Sequence, residues 1–325
     1  MEKIDKLDKK IICELDINCR QSHAMIGKKV GASRAVVSYR ILNLEKKGII
    51  SQYITSVNLG KLGFSTYKIY FKLHNLNQED EKKLFEFFKE RTEVIHCLRT
   101  QGSYDASVSV AVKSLKQLDK LLCAIKNGFS TIIFDYNLSL IVGTSIFKLD
   151  KVLLERKLSV PKEPKVEKFS TKVSEIIVDD IDKKILRIIS KRADMPIVEI
   201  AKKSKLSVDV IKYRLKKMLH DGIVSSFRVL LNPNKVGFYH YVIMLKTRRS
   251  TKEDHQKLKE WCNMHNYVLY ISKRIGNWDY EINVALKDID HLNNFLKDLR
   301  NSFSEVIDSY ETIINSEAIK LNYFP

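Results

Sequence analysis

The fold is decided by the stretch ASRAVVSYRILNLEKKGII at residues 32–50. Its apolar residues recur at the spacing of one helix face, so the stretch predicts an amphipathic helix with a buried stripe. That stripe consists of Val37, Ile41 and Leu44. Ser33 stands before the helix as a good N-cap, and Gly48 is placed to end it. A helix of about three turns, followed by a β-rich run, is therefore expected here.

The same pattern recurs as LSVDVIKYRLKKMLHDGIV at residues 206–224, a shift of 206 minus 32, or 174 positions. The shift also maps Asp8 onto Asp182 without a gap. Each copy is long enough to bury its own core, so the duplication predicts two folded units and not a solenoid of short repeats.

Two shorter helical patterns precede the three-turn helix in each copy. Leu7, Ile11 and Leu15 share one helix face, and Ile181, Ile185 and Ile189 are their counterparts. A second short helix is expected at 22–30, with Pro196 at the start of its counterpart. The β-rich runs 49–57 and 223–231 follow the three-turn helices. Three short helices and a two-stranded wing predict a winged helix-turn-helix in each copy.

The rest of each copy alternates strand and helix. In the first copy we expect strands at 66–73, 94–100, 105–112 and 132–147, and helices at 79–91 and 115–127. The order βαββαβ predicts a ferredoxin-like sandwich, so the fold class is α+β. Ile69 and Val108 point to one side of the sheet. The other face needs a cover, which face-to-face packing with the second copy supplies.

The duplication also sets the segment boundaries. We expect a winged helix-turn-helix at 1–58, a sandwich at 59–151, a linker at 152–174, a second winged helix-turn-helix at 175–232 and a second sandwich at 233–325. Two prolines and mixed charges make the linker semi-extended. The sequence leaves open whether the two sandwiches pair within one chain or exchange between chains.

The charge indicates a polyanionic partner. A net charge of +18 with a pI near 9.5 favours nucleic acid or an anionic membrane surface, and a solvated lysine surface is the alternative. The N-terminus MEKIDKLDKK lacks the apolar core of a signal peptide. The most membrane-like stretch, 130–147, is interrupted by Asp135 and Asn137. We expect a cytoplasmic protein with no membrane partner.

Chemistry-bearing motifs are scarce. The 5 cysteines include no CxxC pair and are expected to be reduced core thiols. The pairs His96-Cys97 and Cys262-x-x-His265 have no second pair at zinc-like spacing. The sequence contains no P-loop, nucleophile elbow or HExxH motif. We therefore expect no catalytic residue, no metal and no cofactor.

The outward faces of the recognition helices suit double-stranded DNA, because Arg and Lys reach guanine acceptors while Tyr and Ser reach phosphate. The candidate DNA-binding residues are Ser33, Arg34, Ser38, Tyr39, Arg40 and Asn43 in copy one, and Ser207, Lys212, Tyr213, Arg214, Lys216 and Lys217 in copy two. A solvated basic face is the competing interpretation. Copy two has three lysines where copy one has Ser38, Leu42 and Asn43. We therefore expect DNA binding by copy two to depend more steeply on salt concentration. We also expect an asymmetric operator with two unlike half-sites.

Two motifs in each copy resemble those of a known protein family. Residues 32–50 and 206–224 are similar to the recognition helix and wing of the Lrp/AsnC (feast/famine) transcriptional regulators. Gly102-Ser103-Tyr104-Asp105 and Gly276-Asn277-Trp278-Asp279 look like the G-x-aromatic-D signature of that family's effector-binding, RAM-type sandwich. The likeness covers both copies almost end to end. The family usually has two adjacent basic residues where this chain has Tyr39-Arg40 and Tyr213-Arg214.

The resemblance implies partners as well as a fold. Members of the family bind double-stranded DNA, and amino acids bound at the sandwich seam change assembly or DNA affinity. They normally carry one unit per chain and build dimers and larger rings. Here the dimer would be internal, an intrachain pseudo-dimer able to assemble into higher homo-oligomers.

The two G-x-aromatic-D loops are the candidate effector site. Glycine permits a tight turn, and the carboxylate can accept hydrogen bonds from a ligand ammonium or from backbone amides. The aromatic side chains are placed to form one wall of a pocket. The candidate residues are Gly102, Tyr104, Asp105, Gly276, Trp278 and Asp279. A hairpin turn in which Asp caps its own backbone is the competing interpretation.

Three functions fit these observations. The first is a ligand-modulated, sequence-specific transcription regulator. The second is a DNA-organising protein with little sequence preference. The third is an enzyme, because the two-subunit sirohaem decarboxylases resemble the same pairing of helix-turn-helix and sandwich. The net charge and the intact recognition helices favour a DNA-binding function over the enzyme.

Overall fold

The computed structural model describes residues 4–74, 77–154, 167–170, 176–248 and 250–325. The elements of the first copy are α1 (Lys6–Ile17), α2 (His23–Val30), α3 (Arg34–Lys46), β1 (Ile50–Val57), β2 (Ser65–Leu73), α4 (Gln78–Glu90), β3 (Val94–Gly102), β4 (Ala106–Val112), α5 (Leu115–Phe129) and β5 (Ile133–Ile146). Helix α6 (Asp150–Leu154) and strand β6 (Glu167–Ser170) lie between the copies.

The second copy repeats the order of the first. Its elements are α7 (Asp180–Ile189), α8 (Ile197–Ser204), α9 (Val208–His220), β7 (Val224–Leu231), β8 (Tyr239–Thr247), α10 (Lys252–Met264), β9 (Val268–Gly276), β10 (Tyr280–Leu286), α11 (Ile289–Ser302) and β11 (Ile307–Leu321). The predicted α+β class, two copies of a winged helix-turn-helix followed by a βαββαβ sandwich, is confirmed.

The predicted linker falls partly outside the described residues, which omit 155–166 and 171–175. Residues 152–154 end α6, and β6 pairs antiparallel with β5 from Gly143↔Ser170 to Ile146↔Glu167. The described part of this segment therefore adds one strand to the edge of the sheet.

The recognition helices form where the sequence places them, because both ends are encoded locally. The hydroxyl of Ser33 accepts from the N–H of Val36 at 3.3 Å, and Ser207 accepts from Val210 at 3.3 Å. Each serine thereby satisfies one of the unpaired amides that begin a helix. Gly48 adopts a left-handed φ of 68°, a conformation that favours glycine and turns the chain into β1.

The wing differs from the expectation of two strands within each copy. Each copy supplies one strand, and β1 pairs antiparallel with β7 from Ile50↔Leu231 to Val57↔Val224. A lone strand exposes a row of unpaired backbone groups, and the equivalent strand of the other copy satisfies them. The two helix-turn-helix units also share one apolar core, in which Ile11 and Val37 belong to the same cluster as Ile185 and Ile211.

The two sandwiches close into a barrel. The strand order is β2-β4-β3-β11-β8-β10-β9-β5, with β5 paired back to β2. The long final strand of each copy bridges both sheets: β5 pairs with β2 and then with β9, and β11 pairs with β8 and then with β3. Closure pairs the edge strands of the two sheets with each other. Unpaired edge strands would otherwise be free to pair with other chains.

The outer faces of the barrel carry the helices. Residues Ile69 and Val108 pack with helix residues Leu84 and Leu121 in one apolar cluster, and the second copy has an equivalent cluster beneath α10 and α11. The predicted orientation of Ile69 and Val108 is confirmed. The inner faces of the two sheets cover each other.

Candidate nucleic-acid interface

Helix α3 turns a mixed apolar and polar face outward. Tyr39 is 64% exposed, Leu42 47% and Val36 40%, whereas the stripe that faces the core is buried. Of the predicted contacts, Ser33 and Arg34 are exposed, and Ser38, Arg40 and Asn43 are half-buried. The structure brings all of these side chains to one helix. Their contact with DNA stays a prediction.

Helix α9 presents a different chemistry on the same scaffold. Tyr213 is 64% exposed, the same fraction as its counterpart Tyr39. Lys212, Lys216 and Lys217 are exposed, as is the cap Ser207. Lys212 forms a salt bridge with Asp209 at 3.6 Å within the helix. Part of the positive charge of α9 is therefore already balanced by its own first turn.

The two predicted flanking arginines are engaged within their own domains. Arg40 forms salt bridges with the N-cap residue Asp5 and with Asp8, the latter at 3.2 Å. Arg214 does the same with Asp179 at 2.7 Å and Asp182 at 3.3 Å. Each arginine thus clamps its recognition helix to the start of the first helix of its own copy.

The clamps shift the acidity of the N-cap residues. The backbone N–H of Asp8 and the side chain of Arg40 hold the pKa of Asp5 below its usual value. The equivalent groups do the same for the pKa of Asp179. Burial raises the pKa of Asp182 and the nearby Asp179 adds to that rise. Arg40 and Arg214, predicted only as DNA contacts, thus also position their recognition helices, a role that the local sequence pattern does not reveal.

His23 was not predicted as a site residue, yet it lies at the recognition helix. Its Nδ1 is 2.7 Å from the hydroxyl of Ser38. The counterparts of these residues, at 23 plus 174 and 38 plus 174, are Ile197 and Lys212. A signal for this contact is present in the repeat, because the polar His23 of copy one corresponds to the apolar Ile197 of copy two.

A buried ion pair holds the helix-turn-helix of copy one and has no equivalent in copy two. The guanidinium of Arg228 donates to both carboxylate oxygens of Asp16, at 2.8 and 2.9 Å. Arg228 also donates to the carbonyl of Phe147 at 2.9 Å, and Asp16 accepts from the N–H of Leu149. The pair joins α1, β7 and the end of β5. The counterparts are Ser190 and Ile54, which form no ion pair.

The G-x-aromatic-D loops lie at the two seams of the barrel. A Cβ at Gly276 would stand 2.8 Å from the carbonyl oxygen of Leu138, and one at Gly102 would stand 3.0 Å from that of Thr312. Both glycines therefore permit the final strand of the other copy to approach closely.

The two loop carboxylates hold neighbouring backbone. Asp105 accepts from the N–H of Leu73 at 2.8 Å, and Asp279 accepts from the N–H of Thr247 at 2.8 Å. The hydroxyl of Thr247 donates to the same oxygen of Asp279. These contacts fix the ends of β2 and β8, so each loop carboxylate holds an amide of the adjacent strand.

The loop aromatics meet inside the barrel. Trp278 is buried in an apolar cluster with Tyr70 and Met244, and Tyr104 packs against that cluster. The rings of Tyr70 and Tyr104 have centroids 5.3 Å apart. The structure thus brings Tyr104 and Trp278 together as predicted, but as packed side chains. A role in binding an effector stays a prediction.

Among the described residues, no group of three or more His, Cys, Asp and Glu side chains is placed to hold a metal ion. Within the same part of the chain, no helix combines the length and apolar character needed to cross a membrane.

Comparisons with known proteins agree with this geometry. A family model described as winged helix-turn-helix DNA-binding matches residues 4–51 and 178–225. A model described as Lrp/AsnC ligand binding domain matches residues 241–323. The two helix-turn-helix matches begin 178 minus 4, or 174, positions apart, as the duplication requires.

Similar proteins carry regulator names. The HTH-type transcriptional regulator FL11 of Pyrococcus furiosus is 27% identical over 138 residues, 42% of this chain and 89% of that protein. The HTH-type transcriptional regulator Ptr1 of Methanocaldococcus jannaschii is 33% identical over 122 residues, 37% of this chain and 79% of that protein.

One solved structure resembles the whole chain. The siroheme decarboxylase NirDL superimposes with a TM-score of 0.62 at 13% identity, covering 98% of this chain and 94% of that one. At that identity the likeness shows the fold alone. The family models and the regulator relatives together show that the chain belongs to the Lrp/AsnC family of transcriptional regulators, with the helix-turn-helix present twice.

Proposed function

We propose that the chain regulates transcription by binding a specific double-stranded DNA site as an intrachain pseudo-dimer, with unlike recognition helices on unlike half-sites. The observation that carries this proposal is the equal exposure of Tyr39 and Tyr213, 64% each, amid different neighbours. A homodimer presents two identical surfaces. A duplicated chain is free of that constraint.

The two surfaces favour different contacts. Beside Tyr39, the exposed Val36 and Leu42 suit the methyl groups of thymine in the major groove, and Arg34 suits guanine. Beside Tyr213, the exposed Lys216 and Lys217 suit phosphate oxygens, because ammonium groups act as point charges without fixed geometry. The first copy then contributes sequence preference, and the second contributes affinity through contacts with the phosphates.

Selection of binding sites from random DNA tests the proposal, followed by footprinting and by the mass of the particle in solution. We expect a site with two unlike halves bound by one chain. Replacing thymine by deoxyuridine removes only the methyl group, and it should weaken binding in the half-site of copy one and not in the other. If instead all genomic fragments bind equally well to the protein when compared at the same salt concentration, the chain is a DNA-organising protein with little sequence preference.

We further propose an amino acid or similar small effector. The match of residues 241–323 to the Lrp/AsnC ligand binding domain supports it. A thermal-shift screen of free amino acids is the direct test, since a ligand at 100 times its Kd adds about 2.7 kcal/mol to stability. The absence of any shift removes the effector from the proposal.

An enzymatic function on this fold is not favoured, because the regulator Ptr1 is 33% identical over its 122 aligned residues, whereas the decarboxylase is 13% identical and shares the fold alone. Visible tetrapyrrole absorbance on the purified protein would reverse that preference.

A further inference from the structure

The space between the two sheets of the barrel contains charged side chains. Lys68 is 6% exposed, Arg274 4% and Glu281 2%. Removing a charge from water is expensive unless it is paired and hydrogen-bonded. These three residues must therefore be compensated by each other or by their neighbours, and their contacts show how.

The contacts centre on Glu281. Its carboxylate forms an ion pair with Arg274 and accepts from the hydroxyl of Tyr70. It also accepts from the amide of Asn283 at 2.8 Å. Arg274 donates in turn to Ser139 at 3.1 Å. Tyr70 and Ser139 belong to the first copy and the other three to the second, so the network bridges the two copies.

Lys68 adds a second positive charge beside Glu281. Its ammonium lies over the ring of Tyr70, 5.6 Å from the centroid. Burial lowers the pKa of Lys68 to about 8, while the nearby Glu281 acts in the opposite direction. Burial alone would raise the pKa of Glu281, but Arg274 and Lys68 hold it below its usual value. At neutral pH the barrel interior thus holds ionised groups of both signs.

The network breaks the symmetry of the repeat. The counterparts of Lys68 and Tyr70, at plus 174, are Val242 and Met244. The counterparts of Arg274 and Glu281, at minus 174, are Thr100 and Ser107. Each copy therefore presents one half of the network to the interior and has neutral residues in place of the other half.

We infer that this polar core selects the partner of each sandwich, so that the inner face of copy one fits copy two and rejects a second copy of itself. Two first copies would bury Lys68 twice, with Ser107 in place of the compensating carboxylate. Two second copies would place Val242 and Met244 beside Glu281 and deprive it of the hydroxyl of Tyr70. Buried polar residues that fix register or pairing are an established use of such groups.

The inference deepens the proposed function and rests on it. An asymmetric DNA site requires each protein particle to present one α3 and one α9. Exchange into like-with-like pairs would present two identical recognition helices, so a core that rejects such pairs protects the asymmetry.

The seams of the barrel provide reporters of pairing. Thr144 and Ser272 face each other across β5 and β9, with hydroxyl oxygens 3.0 Å apart. A Thr144→Cys, Ser272→Cys chain should cross-link unlike copies. In a pair of first copies, Thr144 would instead face Leu98, since 272 minus 174 is 98. A Leu98→Cys, Thr144→Cys chain should therefore cross-link only like copies. Cys123, the exposed cysteine among the described residues, is changed to Ser in every chain.

The tether must be removed for a fair test, because it favours pairing within the chain. A protease site inserted between residues 160 and 161 releases the copies after purification. They are then unfolded in urea and refolded together before oxidation, so that every copy can pair again with either kind of partner. With the native core we expect cysteines at positions 144 and 272 to form the cross-link between unlike copies. Cysteines at positions 98 and 144 should give almost none of the cross-link between two first copies, here called the like product.

The Lys68→Val, Tyr70→Met chain carries the residues of copy two at these positions. We expect its like product to rise at least about tenfold, because a pair of first copies then no longer buries two lysines without a compensating carboxylate. Met244→Leu is the matched control, which leaves the polar contacts intact and should behave as native. Tyr70→Phe removes one hydroxyl and should raise the like product less.

An unchanged like product in both Tyr70 variants overturns the inference. So does loss of the unlike cross-link without any gain of the like one, which would make the network stabilising without being selective. Failure of the pseudo-dimer itself is distinguishable, because the uncleaved Thr144→Cys, Ser272→Cys chain would then cross-link between chains and give products of twice the mass.

Discussion

The two copies have kept their internal architecture and diverged on the exposed faces of their recognition helices and where they contact each other. Both retain a serine N-cap on the recognition helix and an arginine clamp, and both have an aspartate that holds the end of the neighbouring strand. They differ on the exposed faces of α3 and α9, in the Asp16–Arg228 pair and in the barrel core.

The retained features are therefore contacts inside each copy, while the diverged features lie on surfaces that a homodimer would be forced to keep identical. A mutation at a shared feature should have similar effects in both copies. A mutation at a diverged feature should have an effect in one copy only.

The largest expected difference concerns the one-sided ion pair. Asp16→Ala leaves the guanidinium of Arg228, whose side chain is 11% exposed, without its carboxylate. Removing one partner of a buried pair costs about 3–5 kcal/mol. The counterpart Ser190→Ala removes a buried hydroxyl with one local hydrogen bond and should cost about 1 kcal/mol. Urea unfolding at pH 7 measures both, and equal losses would show that the ion pair contributes no asymmetry.

The next difference concerns binding to DNA. Replacing Lys212, Lys216 and Lys217 by Ala should lower the salt slope of binding by about 2.7, or about 0.9 for each phosphate contact, and weaken affinity on the order of 100-fold at 0.1 M salt. The pair with Asp209 makes the share of Lys212 the smallest.

The matched triple variant Ser38→Ala, Leu42→Ala, Asn43→Ala should leave the salt slope unchanged and reduce the preference for the selected site over random DNA. Fluorescence anisotropy across a salt series measures both quantities. Identical slope changes in the two triple variants would contradict the division between phosphate affinity and sequence preference.

The smallest effect tests a shared feature. Arg40→Ala and Arg214→Ala should each cost less than about 1 kcal/mol at pH 7, because the clamps are partly exposed. The pKa values of Asp5 and Asp179 are lowered in the fold from 3.8, so their stabilisation is present above pH 3.8 and is lost as the pH falls through the depressed values.

The raised pKa of Asp182 acts in the opposite direction, since that group favours the folded state more once it is protonated. The stability difference between each variant and the native chain should therefore shrink below pH 3.8, as the carboxylates lose their charge. Urea unfolding at pH 7 and at pH 2.5 measures it. A loss that persists in acid would show that the arginines act through packing and not through charge.

Features that depend on residues close together in the chain could be predicted from the sequence. The caps, the apolar stripe of α3 and the βαββαβ order could be predicted because helix ends and strand alternation are encoded within a few positions. The unit of duplication and the exposed faces of the recognition helices followed from the same local patterns.

The partners of the strand edges and of the buried charges became visible only in the folded chain. The pairing of β1 with β7, the closure of the barrel by β5 and β11, and the contact of Tyr70 with Glu281 join residues far apart in the chain. A strand edge or a buried carboxylate demands a partner but does not name one. That choice depends on how the two copies meet in space, which no local pattern specifies.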